Sequence, residues 1–331
     1  MSENSKIEWC DHTFNPWIGC QAVSPGCKNC YAEDWAKRYG RDFSERTRTK
    51  TWAQPLRWNA AHAEFFAEHG RRQRVFCASL ADVFDNAIDP TWRRDLFDLI
   101  DQTPNLDWIL LTKRIGNVMS MVSQTAQYQF DLECLQNPRM PENVWIGATI
   151  VNQAEADRDI PKLLDVPARV RFLSMEPLLG PVDLTRIDID GHREIYPLNG
   201  TRDCEDEDGH RTPDIPALDW IIVGGESGRD ARPMHPDWAR DLRDQCAAAG
   251  VPFLFKQWGE WAPGENCGGP MKRTERVADW WNDEWEFSTL TPGSAEGMHF
   301  DDEPVVYRCG KKVAGRMLDG VTHDGFPGGS A

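Results

Sequence analysis

The sequence has no long hydrophobic run. Among its 331 residues, no stretch approaches the roughly 18 consecutive apolar residues that a membrane-spanning helix needs. Residues Met1 to Glu8 are polar and lack the apolar segment of a secretory signal peptide. We therefore expect a soluble cytoplasmic protein. The P-loop, the His-Glu-x-x-His zinc motif and the nucleophile elbow are missing as well, so these three common catalytic signatures do not apply.

The chain also lacks an excess of positive charge. Its 37 lysines and arginines are outnumbered by 53 aspartates and glutamates, which gives a net charge of −16. General affinity for a phosphate backbone is therefore not expected. A local basic run and the later pair Lys311-Lys312 could still contact nucleic acid, with tryptophans stacking on bases, although solvated basic faces explain them equally well. The run consists of Lys37, Arg38, Arg41, Arg46, Arg48, Lys50 and Arg57.

Short apolar runs that alternate with helical stretches predict an α/β fold. The runs are almost continuously apolar, which is typical of parallel strands buried on both faces. One helix should open at Asp89-Pro90, one should run from about Asp237 to Gly250, and one should begin at Cys30. We expect a partial TIM-like barrel of six or seven βα units. Its strands are predicted near residues 6–10, 74–79, 107–112, 144–150, 170–174, 219–223 and 252–256.

Two segments interrupt this pattern. Residues 184–217 are acidic and rich in turn residues, and they are interpreted as a surface insertion between two strands. Residues 262–308 are rich in glycine, proline and tryptophan, and they suggest an irregular or β-hairpin appendage. The predicted organisation is therefore a barrel over residues 1–261, followed by an appendage and tail over residues 262–331.

Polar residues follow every predicted strand. In parallel α/β folds, functional groups gather where strands end and loops begin, so these residues predict a polar pocket. Some of them could equally be helix caps. They are Asp11, His12 and Asn15; Ser79 and Asp82; Thr112, Lys113 and Arg114; Thr149 and Asn152; Ser174 and Glu176; Gly224, Gly225 and Glu226; and Lys256 and Gln257.

Three of the ten cysteines form a compact motif. Cys20, Cys27 and Cys30 lie within eleven residues, in a loop rich in proline and glycine that leads into a helix. Three thiolates suit a four-iron cluster with one open iron. A fourth ligand, Cys10 or His12, would suit zinc instead. The remaining cysteines are predicted to be core residues, as for Cys77 and Cys246, or lack ligand spacing, as for Cys134, Cys204, Cys267 and Cys309.

These motifs carry a family resemblance. A three-cysteine loop after the first strand of a βα barrel resembles the radical S-adenosylmethionine (SAM) superfamily. More closely, nearly the whole chain resembles an uncharacterised three-cysteine-motif family of phage and bacteria. The shared motifs are Asn15-Pro16, Gly19-Cys20, Ser24-Pro25-Gly26-Cys27, Cys30-Tyr31-Ala32, Leu111-Thr112-Lys113-Arg114, Ser174-Met175-Glu176-Pro177, Gly224-Gly225-Glu226-Ser227-Gly228, Arg232-Pro233-Met234-His235-Pro236 and Phe255-Lys256-Gln257-Trp258-Gly259.

The resemblance implies a barrel of radical SAM type that cleaves SAM reductively. Cys20, Cys27 and Cys30 would hold a [4Fe–4S] cluster, and an electron donor of flavodoxin or ferredoxin type would supply the electron. The resulting deoxyadenosyl radical would act on an unknown substrate, with nucleotide or nucleic acid as one class. Two features depart from the superfamily: the spacing is Cys-x6-Cys-x2-Cys instead of Cys-x3-Cys-x2-Cys, and Gly-Gly-Glu follows the sixth strand instead of the second.

The chemistry of bound SAM suggests further site residues. Its ammonium group needs an acceptor such as Glu176 or Glu226, its carboxylate a cation such as Lys113 or Arg114, and its ribose a hydroxyl such as Thr149 or Ser174. The glycine pair Gly224 and Gly225 fits a close backbone approach to the cofactor. The expected catalytic residues are Glu176, Lys113 and Lys256.

A different class of function is also open. The same cysteines could hold zinc in a non-enzymatic protein that mediates phage or host interactions.

Overall fold

The computed structural model describes residues 2–128, 140–191, 193–203, 215–268, 274–295 and 304–328. Its strands are β1 (Ser2–Glu3), β2 (His12–Thr13), β3 (Trp17–Ile18), β4 (Thr47–Arg48), β5 (Gln73–Cys77), β6 (Leu106–Thr112), β7 (Val144–Thr149), β8 (Val170–Met175), β9 (Ile187–Asp188), β10 (Glu194–Tyr196), β11 (Thr201–Asp203), β12 (Trp220–Gly224), β13 (Phe253–Gln257), β14 (Glu275–Trp281), β15 (Glu284–Leu290) and β16 (Val306–Tyr307). Its α-helices are α1 (Tyr31–Arg38), α2 (Gln54–Ala60), α3 (His62–His69), α4 (Pro90–Asp101), α5 (Val118–Tyr128), α6 (Gln153–Leu164), α7 (Pro236–Ala249), α8 (Pro292–Ala295) and α9 (Lys311–Ala314).

The main sheet has eight strands in the order β1-β2-β5-β6-β7-β8-β12-β13. β1 is antiparallel to β2, whereas the other seven strands run parallel. The predicted α/β class is confirmed, and the seven parallel strands are compatible with a partial TIM-like barrel. The strands from β5 onward in this sheet start and end within two residues of the predicted runs.

The first predicted strand is wrong. Residues 6–10 form a turn in which the Cys10 N–H donates to the Ile7 carbonyl, and the strand begins only at His12. The apolar character of this segment has another cause: Trp9 and Cys10 are buried against Phe76 and Trp220, on one face of the sheet. Hydrophobicity showed that the segment is buried, but it did not show its backbone conformation.

The predicted helix ends are confirmed. Asp89 caps α4 by accepting a hydrogen bond from the Thr91 N–H, and Pro90 occupies the first turn. Cys30 occupies the N-cap of α1. Gly250, with φ of +70°, ends α7 in the left-handed conformation that glycine adopts without steric cost.

The two faces of the sheet pack differently. One face, with Val75, Trp108 and Ile146, joins a core that includes Leu96 of α4 and Leu242 of α7. The opposite face forms an aromatic cluster built from the strands themselves and from two flanking segments. This second face is the inner surface of a curled sheet, and its members include Trp9, Phe76, Trp145, Phe172, Trp220 and Phe326.

Both irregular segments contain antiparallel strands. In the insertion, β9, β10 and β11 form a small sheet whose Ile187 and Ile195 are buried in the main core. The most acidic part, residues 204–208, lies outside the described residues. In the appendage, β14 and β15 form the predicted hairpin, with Asn282 and Asp283 both at positive φ in its two-residue turn.

The C-terminal segment returns to the barrel. The Phe255 N–H donates to the His323 carbonyl, and the Gly325 N–H donates to the Phe253 carbonyl, so this segment covers the outer edge of β13. The ring of Phe326 lies 5.1 Å from that of Trp220. None of the helices in the described part of the chain combines the length and apolar character that a membrane crossing requires.

His235 contacts both the appendage and the barrel. Its surroundings lead us to expect that the stability of the protein depends on pH. Its ring lies 5.7 Å from Trp238 of α7 and 6.1 Å from Trp285 of β15, and its Nδ1 accepts the Asp237 N–H as the cap of α7. Burial lowers the pKa of His235 and Arg240 lowers it further, against the opposing effect of the nearby Asp237 and Asp241 carboxylates. The folded protein therefore binds this proton less readily than the unfolded chain does.

Stability should accordingly fall as the pH drops below about 6.5, the unfolded histidine value. His235→Asn keeps a capping acceptor but cannot titrate in this range. Urea unfolding between pH 7.5 and 5 should give a flatter stability profile for this variant than for the wild type. Parallel profiles would contradict the prediction.

Candidate functional site

The site is built around residues 19–30, which we call the cysteine loop. Its first residue, Gly19, has φ of +114°, and a Cβ there would lie 2.1 Å from the Glu45 carbonyl oxygen, so only glycine fits. Ser24 then caps a short 3₁₀ turn, Pro25–Cys27, by accepting the Gly26 N–H. Cys30 caps α1 without using its side chain in a capping hydrogen bond. The Cys30 thiol is therefore not engaged as a helix cap.

Side chains that follow several strands tie this loop to the C-terminal edge of the parallel sheet. Ser24 Oγ donates to Glu155 Oε1 over 2.7 Å, and Glu155 lies in α6, directly after β7. Asn29 Nδ2 donates to Glu226 Oε2 over 2.8 Å, and Arg232 Nη1 donates to the Pro25 carbonyl over 3.1 Å, both in the segment after β12. The loop is thus fixed over the face where the sequence predicted a pocket.

Glu226 helps to anchor the cysteine loop. It is 7% exposed, and its carboxylate accepts from the Arg232 backbone N–H, from the Arg232 guanidinium and from Asn29. Burial alone would raise the pKa of Glu226, but these hydrogen bonds outweigh it and hold the pKa below its ordinary value. Because Arg232 and Asn29 already occupy the carboxylate, the geometry favours a positioning role over capture of an ammonium group.

Glu226→Gln should therefore destabilise the protein by about 3 kcal/mol at pH 7, since it removes one charge of a largely buried ion pair. A carboxylate with a lowered folded pKa contributes stability above its unfolded pKa of about 4.3, and this contribution disappears as the pH falls. In urea unfolding, the difference between wild type and variant should therefore stay nearly constant from pH 7 to about pH 5 and shrink as the pH falls from about 4.3 towards about 3. Glu265→Gln, in an exposed pair with Arg240, is the control and should change stability by less than about 1 kcal/mol. A pH-independent difference would argue against the assigned charge effect.

Cys20 lies against a cation. Arg114 Nη1 donates to Cys20 Sγ over 3.5 Å and pairs with Asp82 over 3.2 Å. Burial raises the pKa of the Cys20 thiol, and the Arg114 hydrogen bond offsets part of that rise. Thr112 Oγ1 also donates to Asp82, so the end of β6 and the loop after β5 jointly hold Arg114 in place. Arg114 therefore contacts the Cys20 thiol and is also paired with the Asp82 carboxylate.

Glu176 and Lys256 form a second polar group at this edge. They follow or end β8 and β13, and Lys256 Nζ lies 3.1 Å from the Glu176 carboxylate. Both are half-buried. The two residues are brought together across β12, because the order β8-β12-β13 places their strand ends on either side of it.

Thr149, Ser174 and Lys113 lie at the same edge with fewer contacts. Thr149 and Ser174 are register partners at the ends of β7 and β8, and both are buried. Thr149 Oγ1 is buried without a hydrogen-bond partner among the described residues. The Lys113 side chain extends beneath the cysteine loop, with its Cε 3.6 Å from the Cβ position of Gly26.

The glycine pair is explained by contacts within the protein. A Cβ on Gly224 would lie 2.6 Å from Glu176 Oε1, and one on Gly225 would lie 1.8 Å from the Trp258 carbonyl oxygen. Close approach was the predicted reason for these glycines. In the structure, the backbone at Gly224 and Gly225 closely approaches Glu176 and Trp258.

Asp11 and His12 lie away from the predicted strand ends. They precede or begin β2, where Asp11 pairs with Arg71 over 2.6 Å and His12 stacks on Trp58 at 4.2 Å. The two imidazole nitrogens of His12 contact Asn4 and Gln73. Burial raises the pKa of the Cys10 thiol to about 12. The His12 ring is thus occupied by Asn4, Gln73 and Trp58, and the Cys10 thiol is buried on the aromatic face of the sheet.

Sequence reasoning missed most of the anchoring residues. Asn29, Glu155 and Arg232 were not predicted site residues, although Asn29 lies between Cys27 and Cys30 and Arg232 begins one of the shared motifs. Glu155 stands three residues after Asn152, which accepts its N–H as a helix cap, and this capping-box spacing was the available signal. Their common function depends on contacts between residues far apart in sequence.

The basic run is partly neutralised by neighbouring acids. Lys37 pairs with Glu33, Arg46 with Asp85 and Arg48 with Asp95. Arg41 lies over the ring of Trp35 at 5.7 Å. The run is therefore not a continuous strip of free cations.

Three thiols in one loop are the type of ligand that iron–sulfur clusters and zinc sites use. Cys20, Cys27 and Cys30 are reduced and half-buried. Within the described residues, no three His, Cys, Asp or Glu side chains are already arranged as a metal-binding group. Binding would therefore have to draw the three Sγ atoms together. The Thr149 hydroxyl, buried without a partner at the end of β7, adds a polar atom that a ligand could satisfy.

Comparison with known proteins assigns the chain to a family. No curated protein and no solved structure matches this chain. The family described as "Protein of unknown function (DUF5131)" matches residues 4–327, which is nearly the entire chain, and the protein therefore belongs to that family.

Proposed function

We propose that this protein is an iron–sulfur enzyme of radical SAM type. The observation that carries the proposal is the placement of the cysteine loop: three half-buried thiols are held over the C-terminal edge of seven parallel strands by Glu155, Glu226 and Arg232. Three cysteines in one loop suit a [4Fe–4S] cluster with one open iron. When bound, such a cluster would supply a site for SAM and the electron for its reductive cleavage.

The chain's own residues would bind and orient SAM. Lys113 has no ion-pair partner among the described residues and extends toward the loop, so it can pair with a carboxylate. Glu176 can accept an ammonium group, with Lys256 fixing its position. Thr149 and Ser174 offer hydroxyls from neighbouring strands. Arg114 would act on Cys20 as a hydrogen-bond donor.

Anaerobic metal analysis tests the proposal directly. Protein purified without oxygen should contain about four iron and four sulfide per chain and should be brown. With a strong reductant, or with a flavodoxin- or ferredoxin-type donor, it should convert SAM to methionine and 5′-deoxyadenosine. Colourless protein that cannot be reconstituted and carries stoichiometric zinc would refute the cluster assignment. A cluster without SAM cleavage would refute the enzymatic assignment.

The Thr149 hydroxyl allows a sharper test of SAM binding. Thr149→Val should leave stability unchanged or raise it by up to about 1 kcal/mol, because an unsatisfied buried hydroxyl is removed. SAM affinity of the cluster-loaded protein should fall about five- to tenfold, as for the loss of one hydrogen bond. Equilibrium dialysis and urea unfolding measure the two effects.

The matched control is Thr125→Val in α5, where the buried hydroxyl donates to the Val122 carbonyl. It should leave SAM affinity unchanged. Equal SAM affinity in Thr149→Val and wild type would remove Thr149 from the site.

The proposed substrate class is nucleotide or nucleic acid. Nucleotide or nucleic acid is consistent with the tryptophan content and with the remaining basic residues near α1. Binding should then weaken as salt rises. Salt-independent binding, or none, would exclude contact with a phosphate backbone.

A further inference from the structure

Two cysteines outside the cysteine loop lie together in the appendage. The side chains of Cys267 and Cys309 lie close enough to interact, although 41 residues separate them in sequence. Both are half-buried and pack against the main core. This pair could not be predicted from the sequence, because its spacing matches no ligand or redox motif.

The backbone holds the pair in place. Ala262 and Tyr307 exchange both backbone hydrogen bonds, at 3.0 and 2.8 Å, which aligns the segments that carry the two cysteines. The Cys267 N–H donates to the Gly264 carbonyl, and the Cys309 N–H donates to the Tyr307 carbonyl. The Cys267 thiol lies 3.4 Å from the Pro263 carbonyl oxygen. The two cysteines thus lie in turns that are held next to each other by the hydrogen bonds between Ala262 and Tyr307.

The contact between the two side chains shifts their pKa values in opposite directions. The contact with the Cys267 side chain lowers the pKa of Cys309, against the effects of burial and of the nearby Glu275 and Glu260 carboxylates. The same contact raises the pKa of Cys267, and burial raises it further. Two free thiols in contact are the arrangement in which a sulfenic acid formed on one cysteine can be resolved by the other.

We propose that Cys267 and Cys309 form a peroxide-sensitive dithiol that closes to a disulfide. The Cys309 thiolate attacks one oxygen of hydrogen peroxide and breaks the O–O bond, which yields a sulfenic acid and hydroxide. Cys267 sulfur then attacks the Cys309 sulfur, forms the S–S bond and displaces the hydroxyl group, which leaves as water with the thiol proton. In sum, two thiols and one peroxide give one disulfide and two waters. This inference is independent of the proposed SAM chemistry.

A disulfide here would fix the segment behind the candidate site. Cys309 is followed by α9, after which the Gly315 and Met317 carbonyls accept hydrogen bonds from the backbone and the indole N–H of Trp258. Trp258 directly follows β13, which carries Lys256. Oxidation would therefore cross-link the segments on either side of the β14–β15 hairpin. It would also hold the end of β13 more rigidly.

Peptide mapping of the full-length chain tests the proposal. After brief treatment with hydrogen peroxide and alkylation of the remaining thiols, a non-reducing digest should contain a Cys267–Cys309 linked peptide that dithiothreitol separates. The same linked peptide should form in a variant in which Cys20, Cys27 and Cys30 are replaced by serine, because the proposed reaction does not involve the cluster. The melting temperature should rise on oxidation by about 3 °C in the wild type but not in Cys309→Ser.

A second variant tests the order of attack. In Cys267→Ser, peroxide should leave a sulfenic acid on Cys309 that dimedone traps, whereas Cys309→Ser should give little trapping at Cys267. Recovery of both cysteines as alkylated thiols after peroxide, or their appearance in disulfides with other cysteines, would overturn the proposal.

Discussion

Replacing Cys27 by serine is expected to reduce bound iron from about four atoms per chain to nearly none and to abolish SAM cleavage. A three-cysteine site has no spare protein ligand, and the described residues around it do not present a replacement. Cys10 is buried in the aromatic inner face, and His12 is engaged by Gln73 and stacked on Trp58. Iron and sulfide analysis of anaerobically purified protein, with a deoxyadenosine assay, measures both effects.

The stability of the metal-free protein should hardly change in the same variant. Cys27 is half-buried in a surface turn, and substitutions at such positions usually alter stability by less than about 0.5 kcal/mol. Cys246→Ala is the matched control, because this cysteine is buried in α7 and should not affect iron content. Full iron occupancy in Cys27→Ser would refute the ligand assignment, and loss of iron in both variants would point to a general folding defect.

Gly225→Ala is expected to destabilise the protein by about 4 kcal/mol. The added Cβ would lie 1.8 Å from the Trp258 carbonyl oxygen and 2.7 Å from its carbonyl carbon. Both contacts are with backbone, and the Gly225 N–H also donates to the Gln257 carbonyl. The ends of β12 and β13 would have to separate, so the cost should approach that of severe overpacking. Urea unfolding at neutral pH measures this effect.

Gly116→Ala provides the comparison for this glycine. Its Cβ would meet only the Lys162 side chain, at an ordinary 3.6 Å, so stability should stay within about 0.5 kcal/mol of the wild type. Wild-type stability in Gly225→Ala, combined with loss of SAM binding, would show instead that this glycine is needed for approach of the cofactor.

Several elements could be predicted because their signals are local. Asp89-Pro90 and Gly250 mark helix ends through capping and backbone geometry that involve only neighbouring residues. Continuous apolar runs located β5 to β8 because a parallel strand covered on both faces needs apolar side chains at nearly every position. The same reasoning wrongly predicted a strand at Trp9, because a buried turn also produces a run of apolar residues.

The roles of polar residues at the strand ends were not predictable in the same way. Glu226 was assigned to ligand capture, whereas its carboxylate is occupied by Arg232 and Asn29. Residue type identified a carboxylate near the site, but only the packing of the cysteine loop decided which groups reach it.

The sequence by itself determined the α/β class, the helix ends and the three clustered cysteines, because these follow from periodicity, capping and spacing along the chain. The tertiary structure decided which polar groups meet: Glu176 with Lys256, Arg114 with Cys20, and Cys267 with Cys309. These pairs join residues that are distant in sequence, and strand order and loop packing bring them together. Hydrogen bonds and ion pairs act over a few ångströms, so their partners were fixed only when the chain folded.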